Sequence, residues 1–271
     1  MTRCTVFGAS GFIGQALTRA LIDAGHEVHA PGRGEHLDLA IDLGHVFYCI
    51  GMTADFRSRP FDTVRAHVSL LLDLLERHRF QSFLYLSSTR VYAGADRAHE
   101  DVPLTVNPHD PSDLYNLSKL AGEAICLHSG KPRCRIARLS NVVGFDPHSR
   151  NFHAELIREA LSGRILLQSA PSSEKDYILL RDAVGLIMRI GLHGEAPVYN
   201  VASGVNLTHE RWCAALARAT DCTVGHAPDA PEYRFPPIDI TRVRGEFGFE
   251  PVPVLEAVPS LVEEFRKFPD Q

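Results

Sequence analysis

Short apolar runs alternate along the first half of the chain with stretches whose apolar residues recur every three to four positions. The runs at 4–9, 46–50, 83–86 and 134–139 show no polar alternation, and 27–30 is a shorter segment of the same kind. A strand that is apolar on both sides is one that helices cover on both faces. Between these runs, 15–24 reads as a helix closed by Gly25, and 113–128 as another. The stretch 61–79 carries Val64, Val68, Leu71, Leu72 and Leu75 at helical spacing. Strands and helices in alternation predict an α/β fold, a doubly wound parallel sheet joined by right-handed crossovers. Residues 31–44 read as irregular, and after Asn141 the pattern loosens. Helices expected at 152–161, 181–192 and 209–219 are separated by short strands and by a proline-rich stretch at 227–237. The expected division is a core over 1–145 and a smaller lobe over 146–271, some segments of which return to the core.

Composition adds mostly exclusions. The chain has 271 residues, 45% of them hydrophobic and 23% charged, which suits a globular protein and excludes general disorder. Its 28 basic and 33 acidic residues leave a net charge of −5 without long runs of one sign, so no nucleic-acid partner is expected. No apolar run reaches the roughly 18 residues of a membrane span, so no membrane partner is expected either. Met1-Thr2-Arg3 leads straight into an apolar strand without a leader's apolar stretch. The cysteines at 4, 49, 126, 134, 213 and 222 have no C-x-x-C spacing and read as reduced thiols, so a cytoplasmic location is expected. His26 and His29 fall on opposite faces of a strand, and no clustered ligand pattern points to a metal.

The first chemical signal is Gly8-Ala9-Ser10-Gly11-Phe12-Ile13-Gly14, set between the first strand and the first helix. Glycines permit a tight turn and close approach of the backbone, and the helix start offers free N–H groups and a partial positive charge to a pyrophosphate. The spacing is G-x-x-G-x-x-G rather than G-x-G-x-x-G. The candidate dinucleotide contacts are Gly8, Ser10, Gly11, Phe12, Ile13 and Gly14, with Gly51 at the end of the third strand. The second strand runs into Val28-His29-Ala30-Pro31-Gly32-Arg33 with no acidic residue at its tip to hold a ribose 2′-hydroxyl. Arg33 instead suits a 2′-phosphate, so NADP is favoured and NAD stays possible. Asp38 and Leu39 stand close enough in sequence to approach the adenine.

Tyr115 and Lys119 are one helical turn apart on one face. An ammonium there is expected to favour the phenolate and draw the tyrosine down toward the working pH, as a general acid/base requires. Ser88 stands at the C-terminal end of the fourth strand, in Leu86-Ser87-Ser88-Thr89-Arg90-Val91-Tyr92. Ligands bind at the carboxyl ends of strands in such sheets, so Ser88 can hydrogen-bond a substrate oxygen while Tyr115 moves the proton.

With the glycine turn, the Ser-Ser-x-x-Val-Tyr stretch, Tyr-x-x-x-Lys and Arg138-Leu139-Ser140-Asn141-Val142-Val143-Gly144 in this order, the sequence resembles the extended short-chain dehydrogenase/reductase family, in its sugar-nucleotide epimerase/dehydratase branch. The resemblance implies a Rossmann core, a C-terminal substrate lobe and a catalytic set of Ser88, Tyr115 and Lys119, with Lys119 also on the nicotinamide ribose. It implies that Asn141 and Lys175 lie near the substrate's phosphates and that Thr89 and Arg90 face the substrate. By analogy, the helices at 61–79 and 113–128 would pair in a homodimer.

Departures narrow the reaction. Dehydratases of the family carry Asp-Glu where Thr89 and Arg90 stand, decarboxylating members have glutamate at Arg90, and His67 replaces a usual asparagine. What remains is simple hydride transfer on a sugar carbon, by a 4-epimerase or a 4-ketoreductase acting on a nucleotide-linked sugar. Two alternatives stay open: a reductase of a small non-sugar carbonyl, and a non-catalytic NADP-sensing protein on the same fold.

Overall fold

The computed structural model describes residues 1–35, 37–52 and 55–268. In chain order, β1 (Arg3–Phe7), α1 (Phe12–Asp23), β2 (Glu27–His29) and β3 (His45–Tyr48) come first. Next is a helix in three parts: α2 (Pro60–Val64), a wider π-helical turn (Arg65–Ser69) and α3 (Leu70–Arg77). It is followed by β4 (Ser82–Ser88), a single 3-10 turn (Thr89–Tyr92), α4 (Asp113–His128), β5 (Cys134–Leu139) and β6 (Asn141–Val143). The remainder is α5 (Phe152–Leu161), β7 (Arg164–Leu167), β8 (Glu174–Leu179), α6 (Leu180–His193), β9 (Val198–Val201), β10 (Asn206–Thr208), α7 (His209–Thr220), β11 (Thr223–His226), α8 (Thr241–Phe247) and α9 (Val258–Arg266).

Six parallel strands form the main sheet in the order β2-β1-β3-β4-β5-β9. The order reverses between β1 and β3, and the crevice at such a reversal is where these sheets bind ligands. Each face has its own core. Leu17 and Leu21 of α1 and Ile187 and Ile190 of α6 pack on Phe47 and Leu84. On the other face, Leu71 and Leu75 of α3 and Cys126 of α4 pack on Tyr48, Phe83 and Tyr85. A third core gathers α5, α7 and α9 around the fully buried Trp212. Small sheets β10-β8-β6 and β11-β7 support it.

The doubly wound parallel sheet is the fold expected from the pattern. Some boundaries differ for identifiable reasons. The first strand stops at Phe7 because Gly8 turns to a left-handed φ of +81°. The helix expected over 61–79 starts at Pro60, ends at Arg77 and is broken by the π-helical turn. There the buried Tyr48 and Tyr85 hydroxyls donate to the Ala66 and His67 carbonyls at 2.6 and 3.2 Å, drawing both away from the regular ladder. The helices α8 and α9 had no counterpart in the pattern reading. Strand β9 joins the main sheet beside β5, and α6 covers it, although both lie beyond residue 145.

Candidate functional site

The turn after β1 begins at the reversal of the sheet. Gly8 needs its positive φ, and a Cβ on Gly14 would stand 2.1 Å from the Gly8 carbonyl oxygen, so only hydrogen fits there. Helix α1 begins at Gly11 without a side-chain cap, leaving its first amides free for an anion. Beside this turn opens a crevice of about 700 Å³, walled by Gly8–Ser10, by 30–35 with Arg33, by Leu37 and Leu39, and by Ile50. Its far wall is α3, through Leu70, Asp73 and Leu74. An uncapped helix start, a glycine turn closed to side chains and a mostly apolar cleft together fit a dinucleotide. Asp38, between Leu37 and Leu39, accepts the Ala40 N–H at 2.9 Å. Glu35, unremarked in the sequence, accepts the Gly32 N–H at 2.7 Å and meets His29 at 3.1 Å, which orders the loop that carries Arg33.

At the C-terminal end of β4, Ser88 caps the 3-10 turn by accepting the Arg90 N–H at 3.2 Å. Tyr115 and Lys119 face it from α4, both buried. The Lys119 ammonium donates to the Leu86 carbonyl at 2.8 Å and lies 6.0 Å from the Tyr115 ring centre. Gly51, three residues beyond β3, passes so close that a Cβ there would be 3.5 Å from Lys119 Nζ and 3.6 Å from His67 Nε2. The glycine turn, Gly51, Ser88, Tyr115 and Lys119 thus share one end of the sheet.

Burial lifts the Tyr115 phenol above its ordinary value, opposed by a hydrogen bond with Ser88 and by the positive charge of Arg90. Lys119 keeps its ammonium within 6.0 Å of the Tyr115 ring centre while donating to the Leu86 carbonyl. Burial brings Lys119 itself down to about 7, against the pull of Glu123 and Cys49. Glu123 follows Lys119 by one turn, so 115, 119 and 123 line one helix face. Its carboxylate is gripped by the buried Arg138 (Nη2 to Oε2 2.7 Å) and accepts the Ser87 hydroxyl at 2.5 Å.

His67, on the π-helical turn, ties the site together. Its Nε2 accepts the Met52 N–H at 3.2 Å, which fixes the proton on Nδ1 for donation to Ser118 Oγ at 2.8 Å. Ser118 donates in turn to the Tyr115 carbonyl at 2.9 Å. Burial and the neighbouring Lys119 hold His67 at about 3, so it stays neutral. The His67 ring meets the Tyr115 ring edge-on at 5.3 Å.

The remaining candidates are distributed around this centre. Thr89 is buried and donates to the Leu139 carbonyl at 3.3 Å. Arg90 lies 5.6 Å over the Tyr115 ring and 5.0 Å over Phe56. Asn141 donates its amide to the Asp176 carbonyl at 2.8 Å, and Lys175 sits on the adjoining strand β8. The Lys175 ammonium lies 5.6 Å from both the Tyr233 and Phe235 rings, half-buried and lowered by burial and by Arg90. Phe56, Arg57, Glu123, Tyr233 and Phe235 were not singled out in the sequence. Only Glu123 left a signal there, as a charge in phase with Tyr115 and Lys119 on the covered face of α4. No group of three metal-binding side chains occurs among the described residues, and no described helix is long and apolar enough to cross a membrane.

Comparison with known proteins places the chain among related sequences and folds. A UDP-glucose 4-epimerase of Mycolicibacterium smegmatis is 28% identical, with 97% of this chain and 98% of the relative covered. A GDP-6-deoxy-D-mannose reductase of Pseudomonas aeruginosa is 30% identical over 74% of this chain and 75% of its own. Among solved structures, RMD from Pseudomonas aeruginosa complexed with NADPH superposes with a TM-score of 0.82 at 24% identity, covering 98% of this chain and 99% of the other. MoeE5 in complex with UDP-glucose and NAD gives 0.80 at 23%, with the same coverage. The sequence model of the NAD dependent epimerase/dehydratase family matches residues 4–202. Fold, glycine turn and family match lead to one conclusion: the chain belongs to the NAD dependent epimerase/dehydratase family.

Proposed function

We propose that the protein is a nicotinamide-dependent enzyme that transfers hydride at a carbinol or carbonyl carbon of a nucleotide-linked sugar, as a 4-epimerase or a 4-ketoreductase. The observation that carries this reading is the meeting of Ser88, Tyr115 and Lys119 at the sheet end that also holds the glycine turn. A bound nicotinamide coenzyme supplies and accepts the hydride. Tyr115 holds or releases the proton at the substrate oxygen, and Ser88 hydrogen-bonds that oxygen. Arg90 favours the phenolate form of Tyr115. Lys119, buried beside Gly51, offers its remaining N–H bonds to the coenzyme ribose. Lys175 and Asn141 face the diphosphate of the substrate from β8 and β6. The lobe over 146–271 then serves mainly the substrate and the part over 1–145 the coenzyme.

Arg33 on the wall of the crevice supports NADP over NAD. Six unpaired thiols support a reducing, cytoplasmic setting. Exposed Phe61, Val64 and Leu72 on the one helix and exposed Leu127 on α4 support a homodimer through these helices. Tyr115→Phe provides the test, with C4 interconversion followed by NMR and NADPH consumption followed at 340 nm. Turnover is expected to fall about 100-fold or more while coenzyme affinity stays within about twofold. Wild-type turnover in this variant would remove Tyr115 from the chemistry.

A further inference from the structure

We propose that the sugar carries a carboxylate beside the reacting carbon, and that Arg90, with Arg57 next to it, is the receptor for that carboxylate. This rests on the reading of the site given above and adds the class of sugar it takes.

Two guanidiniums converge next to Tyr115. Arg90 lies over the rings of Tyr115 and Phe56, and Arg57 lies 4.5 Å over the same Phe56. The Phe56 and Tyr115 rings are themselves in contact, 5.4 Å between centres. Ser112 steadies both cations, accepting Arg57 Nη2 on its hydroxyl at 2.9 Å and Arg90 Nη2 on its carbonyl at 3.5 Å. That one long bond is the only side-chain hydrogen bond of Arg90 among the described residues, although a guanidinium has five N–H donors.

No carboxylate among the described residues completes the pair. Arg90 has no ion pair among the described residues, and the two acids that act on it are engaged elsewhere. Asp113 accepts the Asn107 N–H and the Asn116 amide, both at 2.8 Å, and Asp110 accepts the Ser112 N–H at 2.8 Å. Two like charges are therefore held together, one of them half-buried, with the field of Asp113 and Asp110 but no direct ion pair among the described residues to offset the cost. An anion brought by the substrate removes that cost, and a guanidinium fork matches a carboxylate with two parallel bonds.

Position selects the carboxylate over the diphosphate. Arg90 stands two residues after Ser88 and over the ring of Tyr115, at the reacting end of the site. Lys175, on β8 between Tyr233 and Phe235 and within electrostatic reach of Arg90, is the cation assigned to the phosphates. A substrate that satisfies both is anionic at two places: a nucleoside diphosphate at one end and a hexuronate at the other. In a hexuronate the C6 carboxylate is separated from C4 by a single carbon, which places it beside the oxygen that Ser88 and Tyr115 hold.

The test is calorimetric binding to the full chain in the presence of NADPH, with wild type, Arg90→Met, Arg90→Lys and Arg57→Met. Free UDP, GDP and dTDP first identify the carrier. The neutral sugar and its uronate on that carrier are then compared, UDP-glucose against UDP-glucuronic acid in the uridine case. Wild type is expected to bind the uronate at least tenfold more tightly than the neutral sugar. Arg90→Met should bring that ratio close to one, Arg90→Lys should restore part of it by charge without the fork, and Arg57→Met should lower it less.

Equal wild-type affinity for the two sugars overturns the proposal. So does an equal loss for both in Arg90→Met, which is what a role in tuning Tyr115 or in holding the diphosphate would give. Failure of all three free nucleotides to bind overturns the nucleotide-sugar reading itself. Nucleotide binding without a preference for the uronate overturns the carboxylate receptor alone.

Discussion

Glu123→Ala tests how far the catalytic helix depends on charge buried beneath it. Glu123 is 3% exposed and Arg138 is 5% exposed. Their side chains share three N–H to oxygen contacts, at 3.1, 3.2 and 2.7 Å, and Ser87 adds its hydroxyl at 2.5 Å. Without the carboxylate, Arg138 keeps among the described residues only the Tyr92 hydroxyl at 2.8 Å and the Glu100 carbonyl at 3.1 Å, and neither is a counterion for its charge. Removing one partner of a buried pair costs about 3–5 kcal/mol. At about 2–4 °C per kcal/mol, the melting temperature should fall by roughly 6–20 °C. Urea titration and calorimetry at pH 7 measure both quantities. The double replacement of Glu123 by Leu and Arg138 by Met removes both charges at once, and should destabilise less than the sum of the two single variants. A loss below about 1 kcal/mol in Glu123→Ala, or strict additivity in the double variant, would refute the view that this pair is desolvated and mutually dependent.

Other expectations can be checked on the same preparations. Burial holds His67 at about 3 and His153 and His209 at about 4, below the value near 6.5 of the unfolded chain. As pH falls below 6.5 the unfolded chain takes up protons that the fold refuses, so stability is full above 6.5 and declines by about 1.4 kcal/mol per pH unit for each group. Urea midpoints that do not change between pH 7.5 and 5 would contradict this. A Cβ on Gly122 would stand 2.6 Å from the Tyr85 hydroxyl and 2.8 Å from the His67 carbonyl, so Gly122→Ala should cost about 1–3 kcal/mol and lower turnover by displacing α4. Unchanged stability and rate would show that α4 has slack there. Arg33→Ala should weaken NADP at least tenfold more than NAD in fluorescence titration, and equal weakening would remove Arg33 from 2′-phosphate recognition.

Local patterns carried much of this molecule. The strands, the long helices and the Tyr115–Lys119 pair are legible because burial on both faces and helical spacing leave marks over a few residues. The π-helical turn left no such mark, since it depends on the hydroxyls of Tyr48 and Tyr85, which reach Arg65–Ser69 from two other strands. The same limit applies to the tuning of Tyr115. One-turn spacing points to Lys119, while the charge of Arg90, which also acts on the phenol, comes from a separate segment that spacing does not reveal. Phe56 and Arg57 sit in a stretch without periodicity, and only tertiary packing brings them to Tyr115. Lys175 could be located by motif, while its aromatic neighbours Tyr233 and Phe235 come from the proline-rich stretch some sixty residues later.

The late arrival of β9 bears on how the polypeptide is made. Five parallel strands are complete once residue 139 has been synthesised, but the open edge of β5 has to wait for Val198–Val201 and for α6 to cover it. Until then the nascent chain presents an unsatisfied row of backbone donors and acceptors, a hazard for aggregation on the ribosome. A gene cut after residue 145 would make that interim state permanent. The two portions are therefore joined by strand addition at that edge, and neither can be exchanged for a homologous piece without carrying the returning strand along.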